Sequence, residues 1–253
     1  MGGHARRAWR LARLTWHMAL GVGAAHWVLH NVSPRRQEQI ISWWTRGLCR
    51  IIALRVRVEG RINPRATLFV ANHISWLDIP ALQHLLNSRV VSKHEVGAWP
   101  VFGAMAQRAG TLFLKRGDHQ STALIADHMT WGLLQRKNFL MFPEGTSSDG
   151  LSVQHFHARL FQAAIRAHAH VQAVAISYPH AQGVNPLAPF IGSDNLIANL
   201  WKLLAEPAVE MRIVFCTPLN AAGLERRKLA ALTQAQILDQ LPHLAGLQYK
   251  RPA

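Results

Sequence analysis

A chain of 253 residues, 49% of them apolar, is long enough to bury the core of one large domain and too apolar to be disordered over most of its length. Its 28 Lys and Arg against 13 Asp and Glu leave a formal charge of +15, so its natural partners are anionic: a phospholipid surface, a phosphorylated substrate or nucleic acid. The only cysteines, Cys49 and Cys216, form no C-x-x-C pair, which excludes a cysteine-built metal or redox centre and fits a reduced compartment.

The charge is concentrated at the start, where residues 1–65 carry twelve arginines against Glu38 and Glu59 alone. Arg6, Arg7, Arg10 and Arg13 precede an apolar stretch, residues 14–29, that holds His17 and His26 and is shorter than the ~20 residues a comfortable bilayer span needs. A basic flank before a short apolar run also matches a signal peptide, but no small-x-small cleavage site follows, and Trp43 and Trp44 continue the amphipathic character towards Arg50. Residues 1–50 are therefore expected to form a membrane-anchoring helical segment, either lying in one leaflet or spanning. Residues 51–253 would form the second unit, the catalytic domain.

Within that second unit, β-branched or apolar runs at residues 54–58, 67–71, 89–92, 111–114, 139–142, 171–178 and 211–216 alternate with helical patterns at 121–135, 158–169 and 195–205. The alternation predicts an α/β fold with a largely parallel sheet of about seven strands flanked by helices.

The first candidate constellation is Asn72-His73-Ile74-Ser75-Trp76-Leu77-Asp78, directly after the second strand, where open α/β sheets place their active sites. A carboxylate can hold an imidazole in one tautomer and leave its other nitrogen to take a proton. On a regular helix residues five apart diverge by about 140°, so His73 has to sit in the loop with Asp78 at the helix start. The same spacing has a structural reading, because Ser75-x-x-Asp78 is a capping-box pattern and Pro80 suits a first helical turn. The second constellation is Phe142-Pro143-Glu144-Gly145-Thr146-Ser147-Ser148, after another apolar strand. There glycine allows close backbone approach, and hydroxyls and amides are offered to a polar ligand, or simply to a strand-to-loop turn.

Together these segments resemble the lysophosphatidic acid acyltransferase family, whose first motif is N-H-x-[S/Q]-x-x-D and whose third is F-P-E-G-T-R-S. The second motif, G-x-x-F-[I/V]-x-R, has its counterpart in Gly110-Thr111-Leu112-Phe113-Leu114-Lys115-Arg116. The resemblance covers about residues 54–216. It implies transfer of a fatty acyl group from acyl-CoA or acyl-carrier protein to the free hydroxyl of 1-acyl-glycerol-3-phosphate, at the cytoplasmic face of the inner membrane. It also implies that His73 deprotonates the hydroxyl, Asp78 orients His73, Arg116 binds the acceptor phosphate, and Glu144, Gly145 and Thr146 shape the acceptor site. Lys93, at a strand end where the family also has a lysine, is a candidate for meeting the oxyanion, a role set against that of an ordinary solvated lysine. Neither cofactor nor metal is expected; the thioester is a co-substrate, the partners are a lysolipid, an acyl donor and an anionic membrane surface, and no nucleic acid is expected.

Two positions depart from the family pattern: Ser147 stands where the third motif has arginine, and Ala173 where the fourth, V-P-V, has proline. Serine cannot replace a bidentate guanidinium on a phosphate, so a zwitterionic acceptor such as lyso-ornithine lipid is an alternative. The pairs His155-x-His157 and His168-x-His170 are expected to be partly exposed helix residues and not metal ligands, because residues two apart do not share a helix face. The motifs also admit a non-catalytic membrane-binding protein that keeps the fold, and a hydrolase built on Ser75, His73 and Asp78, which would lack the G-x-S-x-G elbow.

Overall fold

A computed structural model describes residues 3–29, 31–99, 102–115, 117–181, 183–192 and 194–241. Helix α1 (Gly3–Gly23) runs into a π-helical turn (Ala24–Val28), and α2 (Pro34–Ile52) starts on a proline whose missing N–H has no helical partner to lose. The two helices clasp each other through reciprocal polar contacts. The Trp44 indole donates to the His17 carbonyl at 3.0 Å, and the His17 ring, stacked on that indole, sets Nε2 2.8 Å from the Trp44 carbonyl. Glycine at position 47 makes the clasp possible, since a Cβ there would lie 2.5 Å from the His17 ring. Among the described residues no helix is long and apolar enough to cross a membrane.

The remaining elements are β1 (Leu54–Gly60), β2 (Thr67–Ala71), α3 (Asp78–Leu86), β3 (Ser88–Lys93), α4 (His94–Gly97), α5 (Phe102–Arg108), β4 (Leu112–Leu114), α6 (His119–Leu134) and β5 (Asn138–Met141). A 3-10 turn (Arg159–Phe161) and α7 (Gln162–Arg166) follow, then β6 (His170–Ser177), a hairpin of β7 (Pro179–His180) and β8 (Gly183–Val184), α8 (Leu196–Leu203), β9 (Val209–Phe215), β10 (Leu219–Asn220) and α9 (Arg226–Asp239). The main sheet has the order β1-β9-β6-β2-β5-β3-β4, with the short β10 beside β6. Every pairing along that order is parallel except β6 with β9, and β10 also runs antiparallel to β6.

The fold is thus α/β with a mostly parallel sheet covered by helices on both faces, and the seven sequence-predicted strands correspond to β1 to β6 and β9. Side chains of β2 alternate: Phe69 and Ala71 join the core under α2 and α3, whereas Leu68 and Val70 join the one under α6, α7 and α9. Both faces being buried, β2 reads as a continuous apolar run.

The helix predicted over 158–169 is shorter, because the chain turns at His168 (φ 48°) and enters β6. None of the four paired histidines lies on a helix: His155 and His157 sit in a loop, His168 in the turn and His170 at the start of β6. That corrects the expectation, which had read a loop of mixed polarity as helical.

Candidate active site

The carboxyl ends of the parallel strands β2, β5 and β3 carry, in turn, the NHISWLD loop, the FPEGTSS loop and Lys93, and the Leu112–Leu114 part of the GTLFLKR segment is the neighbouring strand β4 itself. At the end of β2, Asn72 uses its side chain as a further rung of the ladder: its amide donates to the Ile176 carbonyl at 2.9 Å and accepts from the Ile176 N–H at 2.7 Å. This bond fixes where the chain leaves the sheet, and so where His73 begins.

Asp78 has no exposed surface and meets four donors. Its Oδ2 lies 2.8 Å from His73 Nδ1 and accepts the backbone N–H groups of Ile74 (2.8 Å) and Ser75 (2.9 Å), while Oδ1 accepts the Tyr178 hydroxyl at 2.6 Å. The capping reading and the orienting reading therefore meet on one oxygen. With only donors around it, Asp78 accepts a proton-bearing Nδ1, which leaves Nε2 as the basic nitrogen of a neutral His73. The ring stacks on Phe142 with centroids 4.1 Å apart, so its plane is set as well as its tautomer.

The two motif loops are joined through the backbone of His73. Its N–H donates to Glu144 Oε1 at 2.7 Å, and its carbonyl accepts from the Ser148 N–H at 2.8 Å and the Ser148 hydroxyl at 3.2 Å. The second Glu144 oxygen accepts the Gln154 N–H at 2.7 Å. Burial pushes the Glu144 carboxyl up to about 7, against the lowering effect of those two amides and with a smaller rise from nearby Asp78. Gly145, at φ 70°, turns the loop and donates to the Phe142 carbonyl at 3.0 Å. The Ser147 hydroxyl donates to the Phe190 carbonyl.

A cavity of about 1180 Å³ opens beside His73, lined also by Lys93, Phe142, Glu144, Gly145 and Thr146. The structure thus brings together the sequence-predicted residues His73, Asp78, Lys93, Glu144, Gly145 and Thr146; Arg116 lies outside the described residues. Glu144, expected to shape the acceptor site, lines the cavity and also braces two backbone amides. Ala173 is buried inside the sheet opposite Val70. Ser75 is fully buried with its N–H on Asp78, so it offers no nucleophile to a hydrolase. Burial raises the Cys49 thiol to about 12 and the Cys216 thiol to about 11, so neither supplies a thiolate near neutral pH. Among the described residues no His, Cys, Asp and Glu cluster could hold a metal ion. Phe142 opens the second constellation, but its stacking on His73 was not legible there; Tyr178, which positions the dyad through Asp78, follows an apolar strand, and nothing local distinguishes it from a core aromatic.

A histidine fixed by a buried aspartate five residues on, in a loop after a parallel strand and beside a cavity of about 1180 Å³, is an arrangement suited to general-base catalysis of acyl transfer. A family model described as Acyltransferase matches residues 55–177. The chain is 40% identical over 235 residues to the lyso-ornithine lipid O-acyltransferase of Pseudomonas aeruginosa, with 90% of each chain covered. It is 35% identical over 176 residues to the 1-acyl-sn-glycerol-3-phosphate acyltransferase of Neisseria meningitidis, covering 70% of this chain and 69% of that one. The crystal structure of the 1-acyl-sn-glycerophosphate acyltransferase PlsC from Thermotoga maritima superposes with a TM-score of 0.71 at 17% identity, over 99% of this chain and 98% of that one. The chain belongs to the family of lysophosphatidic acid and lyso-ornithine lipid acyltransferases and is an acyltransferase.

Proposed function

We propose that this acyltransferase moves a fatty acyl group from acyl-CoA or acyl-carrier protein to the free hydroxyl of lyso-ornithine lipid. His73 Nε2 takes the hydroxyl proton, the oxygen attacks the thioester carbonyl, Lys93 meets the oxyanion, the C–S bond breaks, and the proton passes from His73 to the departing thiolate. The products are an ester and a free thiol. The observation that carries the reaction is the 2.8 Å contact from His73 Nδ1 to Asp78, which commits Nε2 to the substrate. The acceptor is supported by Ser147, whose hydroxyl is occupied by the Phe190 carbonyl where the family pattern has a phosphate-binding arginine, and by the similarity to the Pseudomonas enzyme.

A second reading, 1-acyl-glycerol-3-phosphate as acceptor, is favoured by retention of Arg116 in the G-x-x-F-x-x-R segment. Thiol release from acyl-CoA and from acyl-carrier protein, with each lysolipid in turn, separates them: turnover that depends on lyso-ornithine lipid supports the first, and turnover only with 1-acyl-glycerol-3-phosphate replaces it by the second.

The lipid acceptor requires access to a bilayer, and we place α1 and α2 on the anionic cytoplasmic face of the inner membrane. Trp9, Trp16, Trp27 and Trp43 are exposed among arginines, the composition of a helix lying in the interface.

A further inference from the structure

The cavity beside His73 extends to the first turns of α9, and its far wall carries Arg159, Arg226 and Arg227. All three are exposed, and among the described residues none of their side chains makes a hydrogen bond or an ion pair. The first turn of α9 holds Arg226, Arg227 and Lys228 and no acidic residue, although a helix dipole disfavours cations at that end. Glu225, just before the helix, is exposed and makes no capping bond, and the carboxylates of Glu95 and Asp194 line the same cavity. Local stability does not account for this grouping.

The wall is built onto the catalytic loop. Gln234 of α9 donates to the Gln154 carbonyl at 2.9 Å, the Gln154 N–H donates to Glu144 at 2.7 Å, and the other Glu144 oxygen holds the His73 N–H at 2.7 Å. A ligand seated on α9 is therefore held in register with His73. The lining that the arginines share with His73 also includes the apolar Met141, Phe156 and Leu160. A molecule with phosphate at one end, a polar arm and an acylated sulfur at the other matches this layout, and guanidinium groups are the side chains that bind phosphate bidentately.

We propose that Arg159, Arg226 and Arg227 seat the phosphorylated end of the acyl donor's pantetheine carrier, leaving the thioester at His73. The proposal rests on the acyl-transfer reading. Full-length protein with Arg226→Gln and Arg227→Gln together, and separately Arg159→Gln, is assayed with three donors carrying one acyl chain: acyl-CoA, acyl-carrier protein and the acyl thioester of N-acetylcysteamine, which has no phosphate. The ratio of kcat/KM for acyl-CoA to that for the acetylcysteamine thioester falls by about tenfold or more, as when a charge-assisted hydrogen bond is removed. The acceptor's KM stays at its wild-type value, and Arg226→Lys with Arg227→Lys restores part of the ratio. A fall with acyl-CoA alone assigns the arginines to the nucleotide's phosphates, and a fall with both carriers to the pantetheine phosphate they share. An unchanged ratio, equal losses on all three donors, or a raised acceptor KM overturns the proposal. Wild-type protein that releases thiol from none of the donors overturns the acyl-transfer reading itself, and this proposal with it.

Discussion

The loop after β2 and the α1–α2 pair treat water in opposite ways. Around His73 the charged and polar groups are inside: Asp78 is fully buried and Glu144 is 5% exposed, and every oxygen of both meets a donor. On α1, α2 and the turn between them four indoles, those of Trp9, Trp16, Trp27 and Trp43, are outside, with Trp16 at 68% and Trp27 at 77% exposure. A buried carboxylate costs several kcal/mol unless donors surround it, so the first arrangement is kept for position and not for stability. Exposed indoles gain nothing for the chain's own core, and on the proposed function the second serves the lipid surface. On the proposed function, chemistry and membrane docking are separated within one chain, and each can be removed without the other.

The largest effect is expected from Asp78→Ala, which strips the acceptor from four donors. Activity falls by about two to four orders of magnitude, and the unfolding free energy by about 3–5 kcal/mol, measured by thiol release and by urea denaturation. Wild-type turnover in this variant would break the comparison at its first half.

Glu144→Gln is expected to be milder, since Gln can still accept one of the two amides, with activity lower by about tenfold. It also removes a pH dependence. The folded carboxyl titrates at about 7 against an ordinary 4.5, so the native state binds this proton more tightly than the unfolded chain. The stabilisation is complete below about pH 4.5 and is lost as the pH rises through about 7, an effect of roughly 3 kcal/mol. Unfolding free energies of the variant measured across that range should be correspondingly flatter than those of the wild type.

Tyr178→Phe leaves three donors on Asp78 and is expected to cost about 1 kcal/mol of stability and a few-fold in kcat, read by denaturation and steady-state kinetics. Smallest for the fold is Trp16→Ala with Trp27→Ala, which should change the unfolding free energy by no more than about 0.5 kcal/mol per site while lowering binding to vesicles containing anionic lipid, followed by sedimentation. Unchanged vesicle binding would remove the second half of the comparison.

How much of this was legible in the sequence depends on distance along the chain. The His73–Asp78 spacing, the strand preceding it and the glycine turn at Gly145 are local, and local patterns carry them. Tyr178 reaches Asp78 across 100 positions, and only the β2–β6 pairing brings it there. The bracing role of Glu144 was hidden for the same reason: its partners His73 and Gln154 belong to different loops. Arg226 and Arg227 lie beyond residue 216, where the motif resemblance did not reach. Ser147 was visible as a departure from the family pattern, but its engagement by Phe190 requires the fold.

The measurement that tests the central claim most directly is thiol release from acyl-CoA in the presence of lyso-ornithine lipid, by wild-type protein and by His73→Ala at matched folded concentration. Acceptor-dependent release that falls by about two to four orders of magnitude in the variant is the predicted result for a general base. Undiminished release by the variant would contradict it and take His73 out of the reaction.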